Sequence, residues 1–162
     1  MERPASVICL LAIAIGVSVR DARTRIIDNA SCIFITVIGL AFQSLRALHP
    51  EAVLSVPGWG RFAERLNTPA FCILFSMLFL TCAVAIEFLY RRFTQQAGFG
   101  LGDVKYASAW APLLGEWILP ALCIALLAGA LVAWLRHQET FAAGPWLSVG
   151  FYSALLALMF AP

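Results

Sequence analysis

Apolar residues fall in six runs, and short stretches between them hold most of the charge. The runs cover 5–19, 30–48, 69–90, 104–119, 120–134 and 146–160. The third is the longest without interruption; the fourth is more mixed, and the fifth follows it almost directly. A membrane-crossing helix needs about 20 apolar residues, so the pattern predicts an all-α membrane protein, a bundle of about six transmembrane helices. Between the second and third runs, Pro50, Pro57, Gly58 and Gly60 mark a longer loop holding Glu51, Arg61, Glu64 and Arg65. Nothing resembling a repeat or a low-complexity linker divides the chain, so 1–162 reads as one membrane domain.

Composition sharpens this. Hydrophobic residues make up 62% of the 162 positions and charged residues 12%, whereas soluble domains carry about 25% charge. Twenty charged side chains cannot cover a soluble globule of this size. A net charge of +2 is also far below what a nucleic-acid-binding surface requires. The positive residues are unevenly spread. Arg20, Arg23, Arg25, Arg91, Arg92, Lys105 and Arg136 lie around the odd-numbered loops; Arg3, Arg46, Arg61 and Arg65 lie on the other side. The positive-inside bias then puts the odd loops in the cytoplasm and both termini outside, in a multi-pass membrane protein. The first run has the length of a signal-peptide core, but its positive cluster follows it rather than precedes it, so a retained helix is expected.

Cys9, Cys32, Cys72, Cys82 and Cys123 all lie within the apolar runs, without a C-x-x-C pair, and read as small buried hydrophobes rather than metal ligands. Of the acids, Glu2, Glu51, Glu64 and Glu139 fall in tails or loops. Glu87 stands four residues before Arg91, the spacing of a helical ion pair. Glu116, near the outer end of the fourth run, suits snorkelling or capping. Three aspartates remain. Asp21 follows the first run among arginines and reads either as a membrane-edge carboxylate paired with them or as a functional group. Asp103 follows Gly98-Phe99-Gly100-Leu101-Gly102 and reads either as a helix cap or as a functional group. Glycines there allow positive φ or close approach of another chain. Asp28 reads as the N-cap or first-turn acid of the second span.

With odd loops inside, Asp21 and Asp103 share one membrane face, where carboxylates at the edge of a low-dielectric bundle are functional candidates. If they face each other they can share a proton, one activating water and the other protonating a leaving amide nitrogen.

Asp21, Arg23, Ile27 and Asn29, followed by Gly100, Gly102, Asp103 and Lys105, resemble the type IV prepilin peptidase family of G-x-G-D intramembrane aspartic proteases. That family has an Asp-x-Arg-x-x-x-Ile-Pro-Asn stretch after its first core helix and G-x-G-D at its fourth. The resemblance implies that Asp21 and Asp103 are the catalytic pair, with Arg23, Asn29, Gly100, Gly102 and Lys105 shaping the site. It implies no metal and no cofactor. Asp28 stands where the family usually has proline. Gly144-Pro145 and Leu147 look like a weaker family feature near the last helix. The chain is similar to the short tight-adherence (Flp-type) form, a peptidase without a methyltransferase region, so no S-adenosylmethionine site is expected. The implied activity is removal of a short basic leader from prepilin-like proteins of a type IV pilus system, cleaving just after a glycine at the cytoplasmic face of the cytoplasmic (inner) membrane. The partners would be the lipid bilayer and a prepilin or pseudopilin helix, with no nucleic acid. Lys105 either tunes the pair, orients the leader or snorkels at the membrane edge. Two other functions use the same residues: a small transporter with a carboxylate proton relay, or a non-catalytic assembly subunit of a pilus or secretion system.

Overall fold

A computed structural model describes residues 5–24, 27–95, 100–137 and 142–160. Glu2, Arg3, Arg25, Gly98, Phe99 and Glu139 lie outside the described residues. Among those described there are eight α-helices and no strand: α1 (Ala5–Thr24), α2 (Asn29–Leu48), α3 (Pro50–Leu54), α4 (Trp59–Arg65), α5 (Pro69–Thr94), α6 (Leu101–Leu114), α7 (Ile118–Leu135) and α8 (Ala143–Phe160). A 3-10 turn, Gly115–Trp117, joins α6 to α7. Four stretches are long and apolar enough to cross a membrane: Asn29–Leu48, Pro69–Thr94, Leu101–Leu135 and Ala143–Phe160. This is an all-helical membrane protein, with four such stretches among the described residues where the apolar runs suggested about six spans.

Local chemistry explains the helix ends. Asp28 caps α2, its side chain accepting from the Ser31 N–H, and Pro50 follows the helix at its far end. Thr68 caps α5 by accepting from Phe71 N–H, with Pro69 at the first helical position. The break between α6 and α7 falls at Gly115, earlier than the expected boundary at 119–120. Gly115 has φ +56°, and a Cβ there would lie 3.0 Å from Sγ of Cys72, so both backbone and space demand glycine. Pro120 sits inside the first turn of α7, where its missing N–H has no intrahelical acceptor to lose.

The stretch expected as a loop between the second and third spans contains α3 and α4. It is pinned by burial of Trp59 and Phe62, whose rings lie 4.9 and 5.3 Å from that of Phe42. Arg46 holds it from α2, donating to the carbonyls of Ala63, Leu66 and Asn67.

α6 lies at the centre, which explains its short, mixed sequence. Its neighbours are α2, α5 and α8, and Tyr106, Trp110, Leu113 and Leu114 on it are fully buried. α2 crosses α6 at Gly39, where a Cβ would lie 2.9 Å from Leu113 N. Small residues at such crossings let membrane helices approach closely. Gly150 does the same for α8 against Ala121 and Ala125 of α7. Large apolar side chains such as Phe34, Leu74 and Leu127 point outward, as a lipid-facing surface requires. Of the five cysteines only Cys32 and Cys72 are buried; Cys9, Cys82 and Cys123 face outward, where in lipid an apolar thiol costs little.

Candidate functional site

The C-terminal end of α1 and the N-terminal ends of α2, α6 and α8 converge. Asp21, in the last turn of α1, is only 4% exposed. Its Oδ2 accepts a 2.9 Å hydrogen bond from the backbone N–H of Gly144, in the first turn of α8. Among the described residues, Asp21 forms no ion pair with Arg20 or Arg23, and Arg25 lies outside them. Arg20 turns instead to Asp28, 3.5 Å away, whose carboxylate also caps α2. Asp28 is thus occupied structurally, as the sequence suggested.

Asp103 stands in the first turn of α6, half-buried. The helix N-cap is Gly100, and among the described residues Asp103 accepts no hydrogen bond from the first N–H groups of the helix. The charges of Asp21 and Glu87 both reach Asp103. The fold therefore brings the two aspartates singled out from separate strings within electrostatic range of each other.

The glycines before Asp103 act by space, not by unusual torsion: among the described glycines, positive φ occurs only at Gly58 and Gly115. A Cβ on Gly100 would lie 3.2 Å from Oδ2 of Asp103, so this glycine makes room for the carboxylate. At Gly102 a Cβ would meet Ile27 at ordinary contact distances of 3.7 Å and more. Lys105 Nζ donates to Oδ1 of Asn29, stapling the start of α6 to the start of α2. Arg23, exposed in the last turn of α1, shares no hydrogen bond or ion pair with these residues among those described.

Two contributors were not placed at the site from sequence. Glu87 pairs with Arg91 as its spacing suggested, at 2.6 Å, but it is also 2% exposed. It borders a cavity of about 680 Å³ that Val104 and Ala107 of α6 also line. The sequence signal was an acid four residues before an arginine inside an otherwise apolar run. Gly144 is the other; its only mark was the Gly-Pro pair at the start of α8.

On the opposite flank of α6, an apolar groove of about 540 Å³ runs between α2, α5 and α6. Asn29 and Lys105 line it together with Cys32, Thr36 and Ser108.

The arrangement supplies two carboxyl groups within electrostatic range, one deeply buried and held by a backbone donor. No curated relative and no solved structure matches the chain significantly. The type IV leader peptidase family matches residues 7–135, which include both aspartates and most of the chain. The chain belongs to the type IV leader peptidase family and is a protease.

Proposed function

We propose that this protein is a membrane aspartic endopeptidase that removes the leader peptide from prepilin-like proteins at the cytoplasmic face of the inner membrane. The observation that carries this is that Asp21 and Asp103 lie within electrostatic range of each other at one end of a helical bundle, within residues matched by a leader peptidase family. Two carboxyls sharing one proton can do the chemistry without a further group. The ionised one takes a proton from water as the water oxygen attacks the scissile carbonyl carbon. The protonated one then gives its proton to the amide nitrogen as the C–N bond breaks, leaving a carboxylic acid and an amine.

The remaining site residues have supporting roles. Gly100 leaves space for the carboxyl of Asp103, and the Lys105–Asn29 bond fixes the start of α6, from which Asp103 projects. The groove along α2, α5 and α6 suits the apolar helix of a substrate lying in the bilayer, its leader reaching the aspartates. Arg23, exposed nearby, faces the water from which the leader arrives. All six apolar stretches would cross the bilayer as a single domain over 1–162.

The test is co-expression of the full chain with a prepilin-like substrate. Asp21→Ala and Asp103→Ala are expected to accumulate in the membrane like the wild type and to leave the substrate unprocessed on an immunoblot. Complete processing by either variant would exclude the pair as the reacting groups.

A further inference from the structure

α8 lies beyond the matched residues 7–135, yet it makes the hydrogen bond that holds Asp21. We infer that Gly144 is a positioning residue for the peptidase reaction, its N–H fixing one oxygen of Asp21 and its missing side chain leaving the room that this carboxylate occupies. The inference rests on Asp21 and Asp103 being the reacting pair.

Three observations lead to it. The first is the bond itself. First-turn N–H groups of a helix have no acceptor within the helix, and the Gly144 donor is spent on a carboxylate 123 residues away in sequence, at 2.9 Å. With Oδ2 engaged, the backbone of α8 sets the orientation of this carboxylate. The second is space. A Cβ at position 144 would lie 2.6 Å from Oδ2 of Asp21 and 2.8 Å from its Cβ and Cγ. Asp21 is 4% exposed, at the end of a packed helix, so it cannot yield without losing its place. The third is the route by which the two aspartates meet. α1 packs chiefly on α8 and scarcely touches α6. α8 is in turn anchored to α6, because Tyr106 and Ser148 share a buried hydrogen bond of 2.8 Å. Tyr106 is one turn on from Asp103, and Ser148 one turn on from Gly144. Phe151 packs against Tyr106 and Trp110 just beyond, at 6.1 and 5.9 Å. α8 is thus the part through which the position of Asp21 is set relative to Asp103.

A carboxylate at a helix N-terminus also serves as an ordinary cap, which would affect stability alone. Kinetics on the purified full chain with an intact prepilin precursor separate the two. Gly144→Ala is expected to lower kcat on the order of 100-fold while KM stays within about twofold, since the substrate's own contacts are untouched. Gly150→Ala is the control on the same helix. Its added methyl would meet Cβ of Ala125 at 2.7 Å, so it strains α8 comparably but away from the aspartates. It is expected to lower the melting temperature and keep kcat within about threefold. If Gly144→Ala does not accumulate in the membrane, Asp21→Glu carries the same test. It keeps a carboxylate but cannot keep the Gly144 bond in the same place, and its kcat should fall similarly. Wild-type kcat in Gly144→Ala or in Asp21→Glu overturns the inference, as does an equal loss of kcat in Gly144→Ala and Gly150→Ala. Activity in Asp21→Ala would instead overturn the proposed function itself, a separate result.

Discussion

A methyl group at Gly100 would sit 3.2 Å from Oδ2 of Asp103, whereas one at Gly102 would meet Ile27 no closer than 3.7 Å. The glycines of the G-x-G-D string are therefore not equivalent. Gly100→Ala is expected to slow leader cleavage about 10-fold by displacing the carboxyl, and Gly102→Ala by less than about threefold; initial rates with membrane-inserted protein distinguish them. A larger loss at Gly102 would mean that substrate, rather than Asp103, occupies the space above that glycine. Asp28 gives the complementary case. Its carboxylate caps α2 and pairs with Arg20, so Asp28→Ala should cost about 1 kcal/mol of stability and retain most of the cleavage activity. Thermal unfolding and cleavage, measured on one preparation, should separate these effects; an inactive but stable Asp28→Ala would move the proposed first catalytic position from Asp21 to Asp28. The role of Asp28 was legible because a cap and its helix are adjacent in sequence. The bond from Gly144 to Asp21 was not, because the Gly144-Pro145 pair marks a helix start without saying which distant side chain its N–H meets.

At the scale of helices, what the sequence conveyed tracked the strength of the apolar signal. α2, α5 and α8 follow long apolar runs, and their limits were nearly readable. The hairpin of α3 and α4 was hidden by Pro50, Pro57, Gly58 and Gly60, and five- and seven-residue helices are too short for a periodic pattern to show. What buries them is a tertiary contact, Trp59 and Phe62 against Phe42. The crossing of α2 and α6 was equally invisible, although it determines where Asp103 stands. Gly39→Ala tests it: the new Cβ would lie 2.9 Å from Leu113 N and 3.0 Å from Cβ of Pro112. Overpacking of this kind costs about 1–3 kcal/mol, so the melting temperature should fall. Gly16→Ala, with nothing within 4 Å of the added methyl, should not lower it. Equal melting temperatures for the two variants would mean that α2 and α6 are not held this closely.

For the molecule as a whole, the polar contacts sort into two ends. Asp21 with Gly144, Arg20 with Asp28 and Lys105 with Asn29 tie four helix ends together at one side. At the other, Arg46 holds the carbonyls of Ala63, Leu66 and Asn67, Asn67 donates to Glu116 at 2.7 Å, and Trp117 donates to the carbonyl of Arg65. Arg91 and Arg92 end α5 and Arg136 follows α7; alternation of the long helices puts them on the aspartate side. Positive residues are retained in the cytoplasm, so that side is expected to face inward and the α3–α4 hairpin outward. Single cysteines in a background with the five native ones replaced by alanine test this directly. In intact spheroplasts a membrane-impermeant maleimide should label Ser55→Cys, exposed between α3 and α4, but not Gln95→Cys, exposed after α5. In inside-out vesicles the pattern should reverse. Because Asp21 and Asp103 share the Gln95 side, labelling of Gln95→Cys from outside would also put the proposed reacting pair on the wrong face for a leader that remains in the cytoplasm.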